Sequence, residues 1–219
     1  MRIGILGGTF NPIHLAHLRS AEEVREAQGL DRVLFIPSAS PPHKRQRDLA
    51  SAAHRVAMVR RAIAGNSAFR VSTIELDRPG RSYSVDTLRS LLQRMPQATF
   101  TFILGIDAFR EIGTWKEYRA LFGLCDIVVT SRPPRLQTRL NESIPVAAQK
   151  DFCYRRRTNT LEHKTGHRIV YQEISDLEVS ASYLRERLAR GLSIKYLVPP
   201  SVERYIRTQR LYSRRTNAR

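Results

Sequence analysis

The segment Gly7-Gly8-Thr9-Phe10-Asn11-Pro12-Ile13-His14-Leu15-Ala16-His17 gathers residue types suited to one task. Glycines let a backbone approach a ligand closely. A helix starting near His14 would point its unpaired N–H groups at the same spot, a ready anion site. His14 and His17 stand three residues apart, so on a first helical turn both imidazoles face that site and can donate hydrogen bonds to phosphate oxygens. A metal pair is the competing use, but no His-Glu-x-x-His spacing and no third ligand accompany them, so no metal site is assigned. The string is neither Gly-x-Gly-x-x-Gly nor a Walker loop. A plain turn followed by two helix histidines is the bland alternative. The whole string favours phosphate binding; a bare His-x-x-His would not.

A second cluster lies near the other end, in Ser180-Ala181-Ser182-Tyr183-Leu184-Arg185. Ser180 can cap a helix, Ser182 adds a hydroxyl, and Arg185 one turn in adds a planar cation. Alone this pattern is a common N-cap with a solvated arginine. Paired with the first segment, it reads as a second set of phosphate contacts. No Ser-His-Asp or Cys-His arrangement suggests a protein nucleophile. Cys125 reads as a small buried apolar residue.

The elements that must carry these residues alternate between strand and helix. Apolar runs at 2–6, 32–36, 69–74, 99–104, 126–130 and 168–174 predict six strands. Helical spacing predicts helices over 14–28, 51–65 and 84–95, a short one opened by a Thr114-to-Glu117 capping box, and others over 180–190 and 200–210. Near-continuous apolar strands separated by helices imply an α/β fold, a Rossmann-like doubly wound parallel sheet with helices on both faces and a C-terminal helical segment. Ligands in such sheets bind beyond the carboxyl ends of the strands, where both clusters fall. The expected organisation is one domain over 1–219, with 132–167 an irregular basic insertion and 211–219 a flexible tail.

The 219 residues carry 37 Lys+Arg against 20 Asp+Glu, a formal net charge of +17. That total invites a nucleic-acid partner. Its distribution argues otherwise: 132–168 hold 9 basic against 3 acidic residues and 204–219 hold 6 against none, so +12 of the +17 lies outside both clusters. No aromatic-basic interleaving accompanies it, and no specific nucleic-acid partner is expected. With 42% hydrophobic residues the chain is not of disordered composition, and no apolar run is long enough to span a membrane. Two cysteines without ligand spacing suit a cytoplasmic protein with reduced thiols.

The two clusters together resemble the signatures of the nucleotidyltransferase superfamily, His-x-Gly-His and Ile-Ser-Ser/Ala-Thr-x-Ile-Arg. Four further strings narrow the resemblance to bacterial nicotinate-mononucleotide adenylyltransferases: Pro41-Pro42-His43-Lys44, Ser82-Tyr83-Ser84-Val85-Asp86-Thr87-Leu88, Leu104-Gly105-Ile106-Asp107 and Thr114-Trp115-Lys116-Glu117-Tyr118. The likeness runs from Met1 to about Tyr212 and is weakest over 135–167. Departures are Ala16 for Gly, Asn11 for a frequent Asp, which removes a negative charge beside the phosphates, and Val179, Ser182 and Leu184 for Ile, Thr and Ile.

The resemblance implies transfer of an adenylyl group from ATP to nicotinate mononucleotide, releasing pyrophosphate, with Mg²⁺ carried on the ATP phosphates. It implies catalytic roles for His14, His17 and Arg185, and ATP contacts from Gly7, Gly8, Thr9, Phe10, Gly105, Asp107, Ser180 and Ser182. Lys44, Tyr83, Ser84, Trp115 and Arg132 would bind the mononucleotide. Small-molecule substrates are the expected partners, with room for a homo-oligomer and none for a membrane. Pantetheine-phosphate adenylyltransferase is the alternative sharing both signatures, and the Ser82–Leu88 string and the Trp115 segment speak against it. A nucleotide-binding relative without activity would not need His14, His17 and Arg185 all in place.

Overall fold

In a computed structural model, which describes residues 1–39, 49–131 and 139–213, the first strand β1 (Arg2–Gly8) runs through the middle of an eight-stranded sheet. It is flanked by β2 (Arg32–Pro37) and β4 (Thr99–Gly105), with β3 (Phe69–Val71) outside β2 and β5 (Asp126–Thr130) outside β4. All these neighbours pair parallel. The order 3-2-1-4-5 reverses direction between β1 and β4, the place where a doubly wound sheet opens a ligand crevice. Pairing there ends at Ile5 with Phe102, although β1 continues to Gly8 and β4 to Gly105. The carboxyl ends of the two strands diverge, and the first glycine segment sits on that divergence.

The central strands alternate apolar side chains between two cores, as a sheet covered on both faces requires. Ile3, Ile5, Phe102, Leu104, Ile127 and Val129 face one layer, which holds α3 (Ser84–Arg94) and α5 (Tyr118–Phe122). Val33, Phe35, Ile103 and Val128 face the other, beneath α1 (Leu15–Ala27), α2 (Ala52–Ile63) and the last helices, α8 (Ala181–Ala189) and α9 (Pro200–Thr208). Ser51 caps α2 by accepting from the His54 N–H, and Pro200 occupies the first turn of α9.

Four expectations are corrected. The third strand stops at Val71, because the chain turns at Thr73, whose carbonyl accepts from the N–H groups of Leu76 and Asp77. The Thr114–Glu117 capping box does not form. A 3₁₀ turn occupies Ile112–Thr114, Thr114 donates its hydroxyl to the Glu111 carbonyl, and α5 starts only after Glu117, held at φ 47°. Glu117 instead pairs with Arg89 of α3 at 2.6 Å.

The third correction concerns the stretch expected to be an irregular basic insertion of short helices or loop, which also holds a hairpin. Its described part holds two single-turn helices, α6 (Leu140–Ser143) and α7 (Val146–Gln149), then a hairpin of β6 (Phe152–Arg155) and β7 (Thr160–His163). The hairpin extends the sheet antiparallel from β8 (Arg168–Gln172), so the sheet is mostly rather than wholly parallel. Last, Leu211 and Tyr212, assigned to a flexible tail, pack against the core beneath α2 and α9.

Candidate nucleotide site

The glycine segment leaves β1 as a loop fixed from several sides. Gly7 is exposed at the crevice, and a Cβ built on it would touch only the Phe102 ring, at 3.9 Å. A Cβ on Gly8 would press to 3.1 Å against Phe10, a buried ring whose own backbone lies in the left-handed region at φ 47°. Glycine at position 8 therefore makes room for an unusual turn that lays Phe10 into the core.

His14 is the N-cap of α1 and is 5% exposed; His17 is the third residue of the helix. Their rings stack with centroids 3.7 Å apart, and Phe10 meets His17 edge-on at 5.2 Å. The main-chain N–H of His14 donates to Nδ1 of His17 at 3.3 Å. In the neutral ring this leaves the proton on Nε2 of His17.

The second segment arrives from the far end of the chain. Ser180 caps α8 by accepting from the Tyr183 N–H, and both Ser180 and Ser182 are exposed at that N-terminus. Arg185 donates from Nη2 to the Ser182 hydroxyl at 3.1 Å and from Nη1 to the Asn11 carbonyl at 2.9 Å. The two segments that sequence placed 174 positions apart thus meet through one guanidinium. Asn11, which stands where the resembled signature often has Asp, turns inward. Its side chain is buried and accepts from the Ala50 N–H at 3.0 Å and the Tyr212 hydroxyl at 2.7 Å, so it is an anchor of the loop.

Nothing in the residue pattern pointed to Arg55, the largest fully buried side chain among the described residues. It donates to the carbonyls of Thr9 at 2.9 Å and Ala50 at 3.2 Å, and no carboxylate among the described residues lies within ion-pair distance of it. Burial lowers its pKa from the ordinary arginine value. A charge-bearing arginine beneath a run of small residues has no periodic signature to reveal it.

Across the crevice, Gly105 ends β4 and caps α4 (Ile106–Arg110), whose first turn carries Asp107, exposed. Tyr83 is the N-cap of α3 and Ser84 its first residue. Trp115 is half-buried, edge-on to Phe102 at 6.3 Å. Lys116 ties these neighbours together: its Nζ sits 5.0 Å from the Tyr83 ring centroid and 3.0 Å from the Asp86 carboxylate. The buried carboxyl of Glu75 accepts from Thr87 of α3 at 2.9 Å, and Ser82 accepts from the Ala39 N–H at 3.2 Å. Burial, the largest cause, raises the Glu75 pKa despite its hydrogen bonds with Thr87 and Ser82. Lys44, the Pro41–Lys44 string and Arg132 lie outside the described residues.

Comparison with known proteins decides the family. Residues 5–187 match the cytidylyltransferase-like family model. A protein of Geobacter sp. (strain M21) named probable nicotinate-nucleotide adenylyltransferase is 51% identical over 212 residues, covering 97% of this chain and 98% of the relative. The chain belongs to the nicotinate-nucleotide adenylyltransferase family. A Geobacter sulfurreducens relative of the same name is 49% identical over 97% of this chain and 99% of its own. The fold also matches a solved Plasmodium falciparum nicotinic acid mononucleotide adenylyltransferase complexed with NaAD, with a TM-score of 0.74 at 20% identity over 96% of this chain and 97% of that one. Membership of this family makes the chain a nucleotidyltransferase. No described helix is long and apolar enough to cross a membrane.

Proposed function

We propose that the chain joins ATP and nicotinate mononucleotide to give nicotinate adenine dinucleotide and pyrophosphate, a step of NAD biosynthesis. The observation that carries this reading is the bond from Arg185 to the Asn11 carbonyl, which brings a glycine loop, two imidazoles and a helix N-terminus to one crevice. That set suits a long polyphosphate better than any single small anion.

In the reaction a phosphate oxygen of the mononucleotide attacks the α-phosphorus of ATP. The new P–O bond forms as the bond between the α-phosphorus and the bridging oxygen breaks, and the electron pair leaves with pyrophosphate. The nucleophile is already an anion, so the protein need not deprotonate it. Positioning and stabilisation of charge supply the rate. His17, whose Nδ1 is taken by the His14 N–H, and His14 donate to the triphosphate. The backbone of Gly7, Gly8, Thr9 and Phe10 lets the nucleotide lie close, and Gly105 lines the facing side. Arg185, with Ser180 and Ser182 at the start of α8, receives the leaving pyrophosphate.

Mg²⁺ belongs to the ATP substrate, held by phosphate oxygens. Asp107, exposed at the carboxyl end of β4, would hold the ATP ribose hydroxyls or help hold this hard cation, which when bound spreads the charge of the triphosphate. On the acceptor side, the N–H groups of Tyr83 and Ser84 receive the nicotinate carboxylate and Trp115 stacks on the pyridine ring. Lys44 and Arg132 are assigned to the mononucleotide phosphate on sequence alone. The excess positive charge has a use here without nucleic acid, since both substrates are anions.

A pyrophosphate-release assay with ATP and Mg²⁺ tests the reading against three acceptors. Nicotinate mononucleotide should be the preferred one, ahead of nicotinamide mononucleotide. Preference for phosphopantetheine would replace the reading with the coenzyme A alternative.

A further inference from the structure

The last described residues reach the phosphate loop from behind. After α9 the chain turns through Arg210 at φ 48° and Tyr212 at φ 64°, two non-glycine residues in the left-handed region that tertiary contacts must hold there. The turn directs the Tyr212 hydroxyl to Asn11 Oδ1 at 2.7 Å, a contact across 201 positions. Burial, the largest influence, pushes the pKa of the Tyr212 hydroxyl above its usual range.

The same loop is gripped at its other end. Arg55 donates to the Thr9 carbonyl and, through the Ala50 carbonyl, to the residue whose N–H also holds Asn11. Thr9 and Asn11 flank Phe10, and the Asn11 carbonyl is the acceptor that holds Arg185. Any drift of Asn11 therefore moves the guanidinium assigned to pyrophosphate. Tyr212 and Arg55 hold the loop and do not bond the guanidinium itself. Their effect runs through the backbone of the loop.

We infer that Tyr212 and Arg55 are positioning residues for adenylyl transfer, clamping Asn11 and Thr9 from beneath so that Arg185 meets the leaving pyrophosphate. The inference rests on the adenylyltransferase reading and goes beyond it by making the C-terminal turn part of the active site's support. Neither residue touches substrate. A role confined to folding would reduce the amount of active protein and leave every Michaelis constant unchanged.

The test measures both directions of the reaction in Tyr212→Phe, which deletes only the hydroxyl, and in Arg55→Lys, which keeps the charge but cannot span two carbonyls. The KM for pyrophosphate in the reverse direction should rise about fivefold or more, while the KM for nicotinate mononucleotide in the forward direction stays within about twofold. Asn11→Ala should give the same shift, and adding Tyr212→Phe to it little further change, as expected of residues acting in one chain of contacts. A pyrophosphate KM at the wild-type value in Tyr212→Phe and Arg55→Lys overturns the inference. Failure of the wild-type protein to make the dinucleotide would instead overturn the proposed function.

Discussion

The imidazole of His17 lies 3.7 Å from that of His14, and its Nδ1 accepts the main-chain N–H of the same His14 at 3.3 Å. One residue thus fixes both the plane and the tautomer of the other. The fixed direction matters because a pre-aimed donor costs no reorganisation when charge develops on the phosphate.

Replacing His17 by alanine should lower kcat by about 10²-fold or more, the usual loss when one such donor is removed. The ring's edge contact with Phe10 is also lost, so a small drop in melting temperature accompanies it. Steady-state pyrophosphate release and a thermal melt on one preparation separate the two effects. Near-wild-type kcat would remove His17 from the mechanism.

Trp115 meets Phe102 in a T-shaped contact and is half-buried, and the proposed function assigns its ring to stacking on the pyridine. Trp115→Ala should raise the KM for nicotinate mononucleotide about tenfold, in the range of one lost ring–base stack. The KM for ATP should change much less. Equal changes in both would make Trp115 a packing residue only.

The parts of this molecule legible in the sequence are those with a local cause. The first strand, the Ser51 and Ser180 caps and Pro200 follow from residue types within a few positions. The hairpin over 152–163 was hidden because its strands are four residues each and its turn is a basic run, Arg156-Arg157, ending at Asn159 with φ 47°. Nothing there has the Asn-Gly signal of a tight hairpin. The Thr114 box failed for a nonlocal reason: Glu117 finds Arg89, on a helix that sequence cannot place beside it. Arg55 and Tyr212 belong to the same class, since each acts on a group far away in the chain, Arg55 on the Thr9 carbonyl and Tyr212 on the Asn11 side chain.

The two cysteines should differ sharply in reactivity. Cys125 is buried and its thiol pKa is pushed up to about 12, chiefly by burial, so it holds almost no thiolate near neutrality. Cys153 is exposed on β6. A chromogenic thiol reagent should count one group in the native protein and two after denaturation. Two fast-reacting thiols in the native state would contradict the buried position of Cys125.

Glu75 gives the protein a pH dependence of definite sign. Its carboxyl is buried beside Thr87, and desolvation raises its folded pKa above the ordinary value of 4.5. A raised acid favours the folded state most while protonated, so its contribution is fully present below the unfolded pKa and is lost as pH rises through the folded one. Glutamine at this position keeps the acceptor oxygen for the Thr87 hydroxyl and carries no charge. Glu75→Gln should therefore melt near the wild-type temperature at pH 4.5 and above it at pH 8, with the gap widening between. The surface carboxylates Glu22 and Glu23 are shifted the opposite way, so wild-type melting alone would blend the signs. The difference between the two proteins isolates Glu75. A difference that stays constant with pH would show that Glu75 titrates as an ordinary carboxylate.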